Sequence, residues 1–307
     1  MSQITNHILM VRPANFGFNE QTAESNAFQT NDQSISQKEI SQRAIAEFDA
    51  MVALLREKGV NVIVADDSAE PVKYDAIFPN NWVTFHDDGK AILYPMYAPM
   101  RRLERQEHIL NQVCRDFKME KVYHLEKSEA ENLFLEGTGS MILDRPNKIV
   151  YACLSPRTNS AVLDRFCHVT KFRKMLFTSV DEKGQQIYHT NVMMALGDTF
   201  CVIGLDTVLD VMERAYIVGS LETTGKEIID LSAAQINSFA GNMLQIKNAE
   251  GKTFLAMSEQ AYKSLTRPQI AQIEKHTEIL PIPIYTIEKY GGGSVRCMMA
   301  EIFLQEK

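Results

Sequence analysis

An α/β fold assembled from five related units around one centre is what this sequence predicts, and three observations predict it. A hairpin-shaped pattern recurs four times, helix-like sequence and further short apolar strands lie between the copies, and a half-copy ends the chain. The repeat length is about 50 residues, a period that marks a propeller or an array of like units.

The first copy is Asn81-Trp-Val-Thr-Phe, a turn at Asp87-Asp88-Gly89, then Ala91-Ile-Leu-Tyr, with a helical stretch from Arg101 to about Asp116 behind it. The second is Gly139-Ser-Met-Ile-Leu, a turn around Arg145-Pro146-Asn147 and Ile149-Val-Tyr-Ala, completed by helix-like sequence after Asn159. Asn191-Val-Met-Met-Ala, a turn at Leu196-Gly197-Asp198 and Phe200-Cys-Val-Ile form the third. The fourth runs Asn242-Met-Leu-Gln-Ile, a turn at Glu250-Gly251 and Thr253-Phe-Leu-Ala-Met, with helix-like sequence beyond Ser258. Between hairpins, Glu39 to Lys58 reads as an amphipathic helix before the strand Val60-Asn-Val-Ile-Val-Ala, and Val208 to about Ser220 as one before Glu227-Ile-Ile-Asp-Leu. The half-copy Ser294-Val-Arg-Cys-Met-Met lacks its second strand, and the N-terminal His7-Ile-Leu-Met-Val is the segment to pair with it and close a ring. No Pro/Gly/Ser-rich linker divides the chain, so residues 1–307 are expected to form one domain.

Composition removes several classes of function. A charge of −7 spread over 307 residues gives no electrostatic footprint for nucleic acid or an anionic membrane surface. No apolar run reaches the length of a bilayer span, and Met1 to Met10 is polar where a signal peptide needs its apolar stretch, which predicts a soluble, cytoplasmic protein. Cys114, Cys153, Cys167, Cys201 and Cys297 are odd in number, far apart and without CxxC spacing, so neither disulfides nor a zinc site is expected.

Rotation of like units brings equivalent positions together. Near the start of each hairpin stand Asn81, Glu136, His189 with Asn191, Asn242 and Cys297, polar and nucleophilic groups where a core would hold leucine. Cys297 follows three glycines that let backbone approach a bound molecule. The other four cysteines sit in apolar or helical contexts and read as small buried residues. A histidine and a cysteine distant in sequence but close in space are what nucleophilic catalysis needs, with the imidazole as proton carrier. Glu136, behind Phe134-Leu135, must be exposed or hold something cationic, because an unpaired buried charge is costly. Gly291 to Gly293 lack the lysine and hydroxyl residue of a phosphate loop.

The order Phe78-Pro-Asn-Asn81, Leu135-Glu-Gly137, Ser155-Pro-Arg-Thr158, His189-Thr-Asn191 and Gly291-Gly-Gly-Ser-Val-Arg-Cys297 resembles the guanidino-group-modifying enzymes of the pentein fold, a five-fold pseudosymmetric α/β propeller of ββαβ-type units. These include arginine and agmatine deiminases, dimethylarginine dimethylaminohydrolases, amidinotransferases and arginine dihydrolases. The likeness spans nearly the whole chain and is strongest to the CtlX-type citrulline-utilisation hydrolases often labelled amidinotransferase. It implies Cys297 as nucleophile, His189 as general acid/base, Glu136 as the carboxylate that binds substrate nitrogen and supports His189, and Arg157 as the partner of a substrate carboxylate. It also implies no metal or other cofactor.

Deiminases usually carry aspartate where this chain has Asn81 and Asn191. Two aspartates clamp a cationic guanidinium, whereas two asparagines keep an acceptor, add donors and suit a neutral ureido group. The expected activity is therefore C–N hydrolysis of citrulline, or of arginine through citrulline, to ornithine, CO₂ and ammonia. An amidinotransferase, a deiminase or dimethylarginine-type hydrolase, and a non-catalytic binding protein like the ribosome anti-association factors of the same fold are the alternatives. Asn242 shares the hairpin phase and is taken with Asn81, Asn191, Arg157 and Asn19 as substrate-binding, although it could equally satisfy backbone at the centre. The segment Pro13 to Phe28, with Phe16, Asn19 and Asn26, reads as a loop, and by the resemblance as a lid over substrate. Arg101-Arg102, with Glu104 and Arg105 nearby, reads as a solvated helix face. A small amino acid is the expected partner, with a homo-oligomer open.

Overall fold

Alternating apolar residues and glycine turns produce short strands, and the computed structural model, which describes residues 1–307 apart from 24, 25, 27 and 33, gathers them into five three-stranded sheets. Strands β1 (His7–Arg12) and β2 (Asn61–Asp66) come first. They are followed by β3 (Val83–Phe85), β4 (Lys90–Leu93) and β5 (Lys121–His124), then by β6 (Ile142–Asp144), β7 (Ile149–Cys153) and β8 (Arg173–Phe177). Next are β9 (Met194–Leu196), β10 (Phe200–Ile203) and β11 (Glu227–Asp230), then β12 (Leu244–Lys247), β13 (Thr253–Ser258) and β14 (Glu278–Ile282), and last β15 (Ala300–Glu301).

Each sheet repeats one topology. A hairpin supplies two antiparallel strands, and a helical crossover returns the chain to add a third strand parallel to the second, as in β3-β4-β5 and β6-β7-β8. The split unit works as the half-copy suggested: β1 lies between β15, antiparallel with Ile8 opposite Glu301, and β2, parallel with Ile8 opposite Val62. The sheets remain separate, and no closed sheet forms among the described residues.

The crossover helices are defined by their caps. Ser36 accepts from the Glu39 amide to start Gln37–Glu57, Asn159 from Ala161 to start Ser160–Thr170, and Asp210 from Met212 and Glu213 to start Val211–Thr223. Phe48, Met51 and Leu55 on the first of these pack against Ile8, Met10 and Val62 of its sheet. Among the described residues no helix is long and apolar enough to cross a membrane.

The hairpin entries differ from the sequence expectation. Segments read as strand from Asn81, Gly139, Asn191 and Ser294 begin with a helical turn: Pro79–Asn81, Gly137–Ser140, Thr190–Met193 and Val295–Met298. Proline at the head of the first and left-handed Gly137 (φ +46°) at the head of the second favour a turn over an extended chain. The first turn packs against the second and the last, and the second against the third. The side chains they carry are thereby brought together.

Candidate active site

Cys297 belongs to the last of these turns and is 5% exposed. Its sulfur receives two carboxamide N–H groups, from Asn191 Nδ2 at 3.4 Å and Asn242 Nδ2 at 3.3 Å. Asn242 also donates to the Asn191 carbonyl and accepts from the Arg296 amide at 3.0 Å, so one side chain ties the turns of two units together.

His189 precedes the turn Thr190–Met193 and lines the same small cavity as Cys297. Its Nε2 is 2.8 Å from Glu136 Oε2. Glu136 is wholly buried; its other oxygen accepts from the Tyr97 amide at 2.9 Å. Arg157 and Arg101 stand 3.5 and 3.8 Å from Oε2. Burial pushes this carboxyl upward, but the charge of Arg157, the His189 hydrogen bond and Arg101 outweigh it and hold Glu136 well below the usual carboxylate range. Burial, assisted by the same two arginines, lowers His189 to about 4 despite Glu136. The pair is an ionised carboxylate and a neutral imidazole at neutral pH. Nε2–H then faces Glu136, and Nδ1 is the basic nitrogen.

Gly139 makes this approach possible: a Cβ there would fall 2.4 Å from Asn81 Nδ2 and 2.8 Å from the His189 ring. Asn81 Oδ1 accepts from Arg101 at 2.9 Å, which fixes the amide and leaves buried Nδ2 without a partner. Asn191 is its complement, with Nδ2 on the sulfur and buried Oδ1 unpartnered. Asn81 Nδ2 and the equally unpartnered Asp75 Oδ1 belong to residues that line the cavity with Cys297, and a ligand there can satisfy them; Asn191 Oδ1 belongs to an amide that holds the sulfur from outside that lining.

The cavity is also lined by Thr22, Asn26, Asp75, Phe78, Arg101, Arg157, Tyr188 and Gly291 to Gly293. Arg101 corrects the reading of a solvated face: it is 3% exposed, paired with Glu104 at 2.9 Å, and in reach of Asp75 and Glu136. No local pattern marks it, since Pro99 is exposed and Met100 half-buried just ahead of it. Asp75, six residues before Asn81, was also missed; it is buried, and burial raises its carboxyl even beside Arg101.

Of the residues expected to bind substrate, Asn81 and Arg157 line the cavity. Asn191 and Asn242 hold the sulfur, and Asn19 donates to Asp75 at 2.7 Å. Asn19, Asn191 and Asn242 do not line the cavity. Arg157 donates to the Thr22 carbonyl and lies over the Tyr188 ring. Positions 24, 25 and 27 of the expected lid lie outside the described residues. Its described part reaches the site, with Asn26 donating to the Gly292 carbonyl at 3.1 Å. A larger open groove beyond Tyr188, about 1410 Å³, is lined by no histidine, cysteine or arginine. Chemistry, not size, selects the smaller cavity. Among the described residues no cluster of His, Cys, Asp and Glu is arranged to hold a metal ion.

A family model described as "N,N dimethylarginine dimethylhydrolase, eukaryotic" matches residues 12–304. The chain belongs to this family. Solved structures share its fold at low identity. The arginine dihydrolase ArgZ of the cyanobacterial ornithine-ammonia cycle superposes with a TM-score of 0.75 at 16% identity, over 96% of this chain and 40% of that one. Its N-terminal domain, in an asparagine-to-serine variant covalently bonded to a reaction intermediate, gives 0.74 at 16% identity over 97% and 99% of the two chains. A dimethylarginine dimethylaminohydrolase adduct with S-methyl-L-thiocitrulline gives 0.66 at 15% identity over 97% and 100%. The chain thus spans two fifths of full-length ArgZ. Among curated proteins none matches. Family and fold together place this member in the pentein superfamily of guanidino-modifying enzymes.

Proposed function

We propose that the chain is a single catalytic unit, with its five sheets set as a propeller around the cavity, that hydrolyses the ureido group of citrulline through a covalent Cys297 adduct. Arginine processed through citrulline is included in this reading, and the CtlX-type hydrolases are its nearest functional likeness. The observation that carries it is the unpartnered Asn81 Nδ2 in the cavity. A guanidinium offers only donors and would leave Asn81 Nδ2 unsatisfied; a ureido group offers it a carbonyl oxygen.

In the reaction, neutral His189 takes the thiol proton as sulfur attacks the ureido carbon. The two amide N–H groups on the sulfur hold its developing negative charge until the C–S bond forms. His189 then gives its proton to the departing amine, releasing ornithine and leaving S-carbamoyl-Cys297. Water, its proton taken by His189, cleaves the thiocarbamate, His189 returns that proton to the departing Cys297 sulfur, and the carbamic acid decomposes to CO₂ and ammonia. Glu136 keeps the imidazole oriented and balances its charge. Arg157 and Arg101 are suited to a substrate carboxylate and Asp75 to an ammonium, which selects an α-amino acid.

Family membership favours a second reading, hydrolysis of dimethylarginine to citrulline. Incubation with citrulline, arginine and dimethylarginine separately, with ornithine, citrulline and ammonia measured, separates them. Ornithine from citrulline is the expected result; citrulline accumulating from arginine or dimethylarginine without further reaction overturns the ureido reading.

A further inference from the structure

The glycine loop that delivers Cys297 is tied to a buried carboxyl group that the reaction above does not use. Glu288 lies in the helix Tyr285–Gly291 and is 2% exposed. Its Oε1 accepts from the Ser294 hydroxyl at 2.6 Å. A serine that opens a helical turn ordinarily directs its side-chain oxygen onto a backbone N–H two or three residues on. Ser294 immediately precedes the turn Val295–Met298 and makes no such bond. Its hydroxyl turns to Glu288, and the Arg296 amide it leaves is taken by Asn242 Oδ1. The Ser294 carbonyl meanwhile accepts from the Cys297 amide at 2.9 Å. One residue thus touches both the buried acid and the nucleophile's own backbone.

The acid is held at a cost. Glu47, from the helix Gln37–Glu57, stands beside it with its carboxylate on the Thr286 and Ile287 amides. Burial and Glu47 push Glu288 up to about 7, against the Ser258 and Ser294 hydroxyls. An apolar residue would occupy this place at lower cost, so the carboxyl is retained for what it binds.

We propose that Glu288 is a positioning residue for the nucleophile: by holding the Ser294 hydroxyl it fixes the turn that presents Cys297 Sγ to the amides of Asn191 and Asn242. The inference rests on the reading above only in taking Cys297 as the reactive thiol. The glycine loop is braced from its other side by Gln29 and Asn26, which donate to the carbonyls of Gly291 and Gly292, and by the Tyr188 hydroxyl. Glu288 supplies the anchor on the helix side.

Alkylation of Cys297 by iodoacetamide, followed by peptide mass spectrometry, tests this without any substrate. Glu288→Ala and Ser294→Ala are each expected to slow it about tenfold, the rate equivalent of one hydrogen bond. The double variant is expected to be no slower than either single one, because both remove the same link. Glu288→Gln, which keeps an acceptor oxygen for Ser294, is expected to restore the rate. Additive losses, no rescue by glutamine, or a Ser294→Ala rate equal to that of the unaltered protein overturns the proposal. Ser294→Ala removes a single oxygen and keeps the test decisive should Glu288→Ala not fold. If no ureido or guanidino substrate is turned over while the labelling pattern holds, the reaction proposed above fails and the positioning role stands.

Discussion

Cys297 and Cys201 are both buried thiols, and only their surroundings separate them. Cys201 sits on the middle strand β10, fully buried among Val202, Ile203 and Met194, and burial drives its thiol above the usual range. Cys153, on the equivalent strand β7, is pushed up to about 11 for the same reason. Cys297 is nearly as inaccessible, but it lies on a helical turn between two amide N–H groups and next to a cavity shared with His189. A strand delivers its side chains to a core of like apolar groups. A turn at the head of a hairpin delivers them to the meeting place of several units, where polar partners are available.

Exchanging oxygen for sulfur at the two positions gives the largest contrast. Cys297→Ser is expected to abolish turnover, a loss of about 10³-fold or more, with thermal unfolding nearly unchanged, because serine lacks a comparably ionisable nucleophile. Cys201→Ser is expected to retain turnover and lose about 1–3 kcal/mol of stability, since the hydroxyl is buried where a thiol needs no strong partner. Full activity of Cys297→Ser would remove the nucleophile from the mechanism.

Glu136→Gln comes next. The amide keeps the contact to His189 but removes the negative charge that faces Arg157 and Arg101. Turnover is expected to fall about 10²–10⁴-fold, the range of a lost acid–base function. Chemical denaturation is expected to show a loss of about 3–5 kcal/mol, because two buried guanidinium groups lose their shared counter-charge. A variant with unaltered kcat would reduce Glu136 to a structural ion-pair partner.

A smaller effect tests the neutral character of the pocket. Asn81→Asp combined with Asn191→Asp is expected to shift the ratio of kcat/KM for arginine over citrulline upward by about 10–100-fold, the scale of one or two charge-assisted hydrogen bonds. An unchanged ratio would show that these two side chains do not set the preference.

The unit pattern was legible because hairpins carry their periodicity and turn residues locally: Gly89 and Gly251 take the left-handed φ (+77° and +83°) that their turns require. That Cys297, His189 and Glu136 would be carried toward one place was legible because polar groups recurred where each hairpin began. Pairing of β1 with β15 could also be anticipated, since each lacked another partner in its own segment. The helical turns under Asn81 and Asn191 were not legible, because three or four residues are too few to show a period and packing between units decides them. Arg101 was missed for a related reason. An arginine three residues before a glutamate looks solvated in one dimension, and only the convergence of Asp75, Glu104 and Glu136 makes its burial favourable.

The smallest effect concerns the proton on His189, whose folded value of about 4 lies below its ordinary 6.5. Between those values the unfolded chain holds the extra proton, so this residue's contribution to stability is complete above about 6.5 and is lost as pH falls through about 4. Glu104 and Glu288, both raised to about 7, act in the opposite sense and weaken the fold as pH rises from about 4.5 to 7. The total stability curve therefore mixes the two trends, and the difference between the unaltered protein and His189→Gln isolates one of them. That difference is expected to rise with pH from about 4 to 6.5, at no more than about 1.4 kcal/mol per pH unit, and to be flat above 7. Urea unfolding of both proteins across this range measures it. A difference that is flat from pH 4 to 6.5 and falls as pH rises beyond 6.5 would mean that Glu136 holds an imidazolium in the resting site, and the first proton transfer from Cys297 would then have to be assigned elsewhere.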